Sequence, residues 1–157
     1  MQRIWILSDT HKKHSELIIP KDIDMVIHGG DFTNERNSFI NANEALDFFD
    51  WYDKLEIKHK VLIAGNHDTS MQGKMVKWKI PSFITYLEHE VKIVGGLSIF
   101  GSPYTPSFGE GWAFNVKREK LHDYWQDIPT NLDVLITHGP PKGILDLSYN
   151  RNNEIEM

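Results

Sequence analysis

A mixed α/β or α+β domain is what this sequence predicts. Three observations point there: short unbroken apolar runs that end in Gly, Asp or His, one long stretch with helical period, and a group of strand candidates around Gly95-Gly96. The chain has 157 residues, 40% of them apolar and 25% charged. That suits a single globular domain over 1–157 with enough chain to bury a proper core.

The first run, Ile4-Trp5-Ile6-Leu7, has the pattern of a strand buried on both faces. It ends in Ser8-Asp9-Thr10-His11, where a carboxylate and an imidazole two residues apart project to one side and can meet one cation. The same residues also suit a helix N-cap. The second run, Met25-Val26-Ile27-His28, stops at Gly29-Gly30-Asp31, a sequence suited to a sharp turn that presents Asp31. His28 lies inside the run and reads as a structural or supporting residue.

Residues 38–56 carry apolar side chains at helical spacing (Ala42, Ala45, Leu46, Phe49, Tyr52), with Asp and Glu assigned to the other face. The aromatic stripe reads as core packing. Val61-Leu62-Ile63-Ala64 is the third strand, and it delivers Gly65-Asn66-His67-Asp68. In an open α/β sheet the carboxyl ends of strands are where ligands bind. Asn66 offers an amide oxygen, His67 an imidazole and Asp68 a carboxylate that can orient an imidazole. Alone, this tetrapeptide is equally a polar turn.

A short helix from Thr69 to about Lys77 and a loop from Trp78 to Pro81 follow. Ile84–Leu87, Val91–Val94 and Leu97–Phe100 read as an antiparallel meander in a second sheet, with Gly95-Gly96 as a hairpin turn. Gly101–Pro106, which holds Tyr104, reads as a rigid loop, and it leads to Phe108–Asn115, rich in aromatics and glycine, which either lines a pocket rim or packs within its own loop. Lys117–Trp125 is a helix, stopped by Pro129. The last strand, Val134-Leu135-Ile136, ends in Thr137-His138-Gly139.

The composition narrows the chemistry. There is no cysteine, so disulfides, thiolate sites and thiol nucleophiles are excluded, and a metal must be held by oxygen and imidazole nitrogen. Eight histidines make that available. A net charge of -5 argues against a protein that tracks long nucleic acid. No targeting segment is evident near Met1, and no apolar stretch approaches the roughly 18 residues of a membrane span. The expectation is a cytoplasmic protein without a membrane partner.

Four strand ends thus offer Asp9 and His11, Asp31, Asn66 and His67, and His138. Hard oxygens with imidazoles suit Mn²⁺, Fe, Zn²⁺ or Mg²⁺, and one shared carboxylate would make a two-metal hydrolytic site. In order and approximate spacing, Asp9-Thr-His11, Gly30-Asp31, Gly65-Asn66-His67-Asp68 and Thr137-His138-Gly139 resemble the calcineurin-like metallophosphoesterases, from Ile4 to about Asp146. Gly30-Asp31-Phe32-Thr33, the Gly101–Pro103 to Trp112–Asn115 stretch and Thr137–Pro141 look like the small metallophosphoesterase-domain subgroup associated with cyclic-nucleotide hydrolysis.

The resemblance implies a four-layer α/β/β/α sandwich of two mixed sheets. It implies two divalent ions, Mn²⁺ foremost: Asp9, His11 and Asp31 around the first, and Asp31, Asn66 and His138 around the second. His67 would protonate the leaving oxygen, with Asp68 steadying its imidazole, and metal-activated water would attack phosphorus. Asn66, Tyr104, Trp112 and Asn115 are the substrate-binding candidates. The family's Gly-His-x-His segment has no counterpart here, since no histidine follows His138, and the C-terminal strands that accompany it are expected to be missing. The expected function is hydrolysis of a small phosphate ester such as a cyclic nucleotide. The alternative is a catalytically weak or inactive domain that binds a nucleotide or a protein, and an open strand edge allows a homodimer.

Overall fold

The computed structural model describes residues 1–149 and 155–156. In chain order the elements are β1 (Ile4–Leu7), β2 (Met25–His28), α1 (Ser38–Lys54), β3 (His59–Leu62), α2 (Thr69–Gln72), β4 (Ile84–Tyr86), β5 (Glu90–Val94), β6 (Leu97–Ser102), β7 (Thr105–Pro106), β8 (Asn115–Val116), α3 (Arg118–Gln126), β9 (Val134–Thr137), β10 (Ser148–Tyr149) and β11 (Ile155–Glu156). The first sheet has the order β1-β2-β3-β4 and the second β5-β6-β9, with short pairs β7-β8 and β10-β11.

Alternation along the first sheet explains why its strands read as unbroken apolar runs. Val26 and Leu62 face one way, into a core with Phe48, Phe49 and Tyr52 of α1. Met25, Ile27, Val61 and Ile63 face the other way, against Val94, Ile99 and Ile136 of the second sheet. In β2 and β3 both faces are therefore covered; β1, expected to be buried on both faces, lies at the sheet edge and is only partly covered, with Ile6 71% exposed. The Tyr52 hydroxyl donates to the carbonyls of Val26 (3.1 Å) and Val61 (2.7 Å), tying α1 to the middle of the sheet.

The structure corrects two expectations about the sheets. The first is parallel throughout, not mixed. Ile84–Tyr86 belongs to it, beside β3 in the register Lys60↔Ile84, and is not part of a meander. Local pattern identifies a strand but not its neighbour. Here Ile84 is buried in the α1-side core, and the long connection from β3 brings the chain back parallel to it. The second sheet is mixed: β5 and β6 form the expected hairpin, and β9 joins β6 in parallel. Gly95 and Gly96 take φ of 60° and 85°, which two-residue hairpin turns require.

Helix α1 begins where the Asn37 side chain accepts the N–H groups of Phe39 and Ile40. It ends at Lys54, two residues short of the expected boundary. A third correction concerns its faces. Asn41 and Glu44 lie on the inward side with Phe48 and Tyr52, and Glu44 is only 5% exposed. Among the described residues no helix is long and apolar enough to cross a membrane.

Candidate metal centre

The loops that follow β1, β2, β3 and β9 meet at one edge of the two sheets. They bring together every strand-end ligand candidate. Donor atoms of Asp9, Asp31 and His138 lie within 4.8 Å of one another, and so do those of His11, Asp31 and His67. Asp31 is common to both sets and is 3% exposed. The Nε2 atom of His11 is 3.9 Å from Asp9 Oδ1 and 3.9 Å from Asp31 Oδ2. His138 Nε2 is 3.4 Å from Asp31 Oδ1 and 3.0 Å from Asn66 Oδ1. The rings of His11 and His67 meet edge-on with centroids 4.6 Å apart, so His67 stands on the His11 side of the site.

The backbone is bent to achieve this. Asp9, His11 and Asp31 have φ of 53°, 41° and 57°, in the left-handed region that side chains with a Cβ seldom adopt. Ladder-like bonds hold them there: Asp9 N–H donates to Gly30 O at 3.0 Å, and His11 N–H to Asp31 O at 3.1 Å. Gly65 must be glycine for want of space. A Cβ there would stand 2.5 Å from His138 Cε1 and 2.7 Å from Asp31 N.

Each of the three imidazoles has its Nδ1 on a backbone carbonyl: His11 on Thr33 O (3.0 Å), His67 on Asn34 O (3.0 Å) and His138 on Gly29 O (2.9 Å). A carbonyl only accepts, so Nδ1 carries the proton, and in His11 and His138 Nε2 is the atom left to face Asp31. This is the arrangement that carbonyl-backed metal-binding histidines show. In His138, Nε2 lies between the side chains of Asp31 and Asn66. Burial works against ionising either Asp31 or His138. Even so, the hydrogen bond and charge between the two hold the Asp31 carboxyl below the usual range, and those of Asp31 raise His138 to about 9. A carboxylate shared by two sets of nitrogens and oxygens, without sulfur, fits divalent cations of the hard to borderline kind.

Asp68 does something other than steady the His67 ring. Its Oδ2 accepts the N–H groups of Asp31 (2.9 Å) and Gly65 (2.7 Å). Its Oδ1 accepts the N–H (3.0 Å) and hydroxyl (2.7 Å) of Thr33. It is a buried clamp joining the loops after β2 and β3. Burial pushes its carboxyl up to about 7, the negative charge of Asp31 adds to this, and the donors from Thr33 and Gly65 oppose it.

Of the substrate-binding candidates, Trp112 stands at the site, its ring 4.7 Å from that of His67 and edge-on to it. Asn66 lies beside His138, as above. Asn115 spends its side-chain amide on Thr105 Oγ1 (3.1 Å) and Ala113 O (3.2 Å), bracing the loop. Tyr104 packs with Phe114, Tyr124 and His89 in a separate aromatic group.

Sequence reading missed Arg36, whose guanidinium lies 3.7 Å above the Trp112 ring, and the inward polar pair Asn41 and Glu44. A signal for that pair was present: positions 41, 44, 48 and 52 recur at helical spacing, so the apolar stripe continues through two polar residues.

Comparison with known proteins adds the family. Residues 2–155 match the model of the calcineurin-like phosphoesterases. The chain is 34% identical to the human metallophosphoesterase domain-containing protein 1, over 92% of this chain and 50% of that protein. It is 32% identical to the Caenorhabditis elegans UPF0046 protein K07C11.7, over 92% of this chain and 53% of that one. A protein of Emericella nidulans named as a probable rhamnogalacturonate lyase C is 35% identical, over 94% of this chain but only 14% of its own length. The chain spans about half the length of the first two relatives.

Proposed function

Because the chain belongs to the calcineurin-like phosphoesterase family, we propose that it hydrolyses phosphate esters with the aid of two divalent metal ions, Mn²⁺ foremost, and that its substrate is a small phosphodiester such as a cyclic nucleotide. The observation that carries the reading is Asp31, a buried carboxylate shared by two nitrogen–oxygen donor sets. Asp9, His11, Asp31, Asn66 and His138 would hold the ions. When bound, the ions would supply Lewis-acid polarisation of the phosphoryl oxygens and an acidified water.

The remaining work falls to the chain. Asp31 balances positive charge at the centre of the site. His67 keeps its Nδ1 proton on Asn34 O, so a proton held at Nε2 is the one it hands to the leaving oxygen. Trp112, edge-on to His67 and with Arg36 over one face of its ring, offers an aromatic wall for the aryl or nucleoside group attached to the leaving oxygen. The acidic balance of the chain favours a small substrate over long nucleic acid.

Hydrolysis of bis(p-nitrophenyl) phosphate tests this. Turnover is expected with added Mn²⁺, to be lost with a chelator and in Asp31→Asn. Undiminished turnover in that variant would contradict the shared carboxylate. Nucleotide binding that survives complete metal removal, without turnover, would contradict the enzyme reading and favour a binding domain.

A further inference from the structure

The carbonyls that hold His11 and His67 belong to two consecutive peptide groups. The first joins Thr33 to Asn34: its carbonyl accepts from His11 Nδ1 at 3.0 Å, and its N–H donates to Glu44 Oε2 at 2.8 Å. The second joins Asn34 to Glu35: its carbonyl accepts from His67 Nδ1 at 3.0 Å, and its N–H donates to the same Glu44 Oε2 at 3.0 Å. A trans peptide is planar, with N–H and C=O pointing oppositely. One carboxylate oxygen behind the loop therefore fixes the plane of both peptides, and so the direction in which both carbonyls face. Hydrogen bonding at one end of an amide also polarises the other.

We propose that Glu44 is a positioning residue for the metal centre, setting the orientation of His11 and His67 through the peptides 33–34 and 34–35. It touches neither imidazole.

Three features support it. Glu44 is 5% exposed, and a buried carboxylate on a helix face is costly unless it is used. Burial opposes its ionisation, yet the N–H groups of Glu35 and Asn34, with Lys12, hold it below the ordinary carboxyl range, so it carries full charge behind both peptides. Its other oxygen is 3.2 Å from Lys12 Nζ, which ties the loop after β1 to the same anchor. Three residues earlier, Asn41 Nδ2 donates to His67 O at 2.8 Å, so one turn of α1 holds the backbone of His67 as well as the carbonyl on its ring.

His138 supplies an internal control. Its carbonyl, Gly29 O, belongs to the peptide whose N–H donates to His28 Nδ1 at 3.1 Å, with no part for Glu44.

The proposal rests on reading His11 and His67 as site residues, but its test needs no substrate. Ring nitrogen–proton correlation spectra of the metal-free protein at fixed alkaline pH report which nitrogen of each histidine carries the proton. In Glu44→Ala, His11 and His67 are expected to lose their exclusive Nδ1–H form while the His138 signals stay in place. Mn²⁺ affinity is expected to fall about tenfold or more, the usual consequence of losing a group that supports a ligand histidine. Unchanged His11 and His67 signals would overturn the proposal, and so would an equal change at His138.

If the alanine variant does not fold, Glu44→Gln decides. Its neutral oxygen still accepts both N–H groups but polarises them less, so the Nδ1 signals of His11 and His67 must move and those of His138 must not. No movement would overturn the proposal. Pinned imidazoles in a wild-type protein that hydrolyses nothing would sink the proposed activity and leave the positioning role standing.

Discussion

The carboxylate of Asp68 accepts the backbone N–H of Asp31 at 2.9 Å, so the residue that closes the Gly65–Asp68 turn holds from behind the residue that the two candidate donor sets share. Four donors converge on Asp68, from Asp31, Gly65 and Thr33. Asp68→Asn keeps one acceptor oxygen and turns an N–H₂ group towards two donors. Stability should fall by about 2–3 kcal/mol, the cost of buried donors left without partners. Denaturant unfolding checks this. A variant as stable as the wild type would mean that the clamp is dispensable.

Stability should also depend on pH through His28. Burial, with the charges of His138 and His14 adding, lowers its pKa to about 3 from an ordinary value of 6.5. The unfolded chain therefore takes up a proton that the folded one refuses. Full stability is present above about pH 6.5 and is lost as pH falls from there towards about 3, by about 1.4 kcal/mol per pH unit. Urea unfolding across that range should show a shallower slope in His28→Gln, by about one proton. An unchanged slope would show that His28 is not the group responsible.

Gly65 should admit no larger residue. In Gly65→Ala the methyl group meets His138 Cε1 at 2.5 Å and contacts Asp31, which belongs to both donor sets. The prediction is a loss of Mn²⁺ binding together with about 1–3 kcal/mol of stability from overpacking. Calorimetric titration with Mn²⁺ distinguishes this from wild-type binding.

Trp112→Ala should separate binding from chemistry. Its ring flanks His67 but belongs to neither donor set. Loss of an aromatic contact worth about 0.5–1.5 kcal/mol should raise KM for an aryl phosphodiester about two- to tenfold, with kcat little changed. A collapse of kcat at constant KM would instead make Trp112 a support for His67.

What the sequence made legible follows from how local each feature is. Val61–Ala64 running into Gly65-Asn66-His67-Asp68 announces a buried strand whose polar residues emerge at its carboxyl end, because strand burial and the glycine turn are both local. The hairpin at Gly95-Gly96 is legible for the same reason. The placing of Ile84–Tyr86 beside β3 depends on a partner 24 residues away (Lys60↔Ile84), which no local pattern records. Asp68 illustrates a different limit. Its neighbour His67 is the obvious partner in sequence, yet the left-handed backbone at Asp31 turns an N–H towards it and wins the carboxylate. Glu44 was misread because charge usually marks a solvent face. It lies inward because loop N–H groups replace water around it.

The shared role of Asp31 is the central claim, and metal stoichiometry tests it most directly. Purified protein equilibrated with Mn²⁺ and freed of excess should retain about two ions per chain, as a carboxylate-bridged pair requires. Asp31→Asn should retain at most one, bound weakly. Retention of two ions by the variant at wild-type affinity would contradict the account.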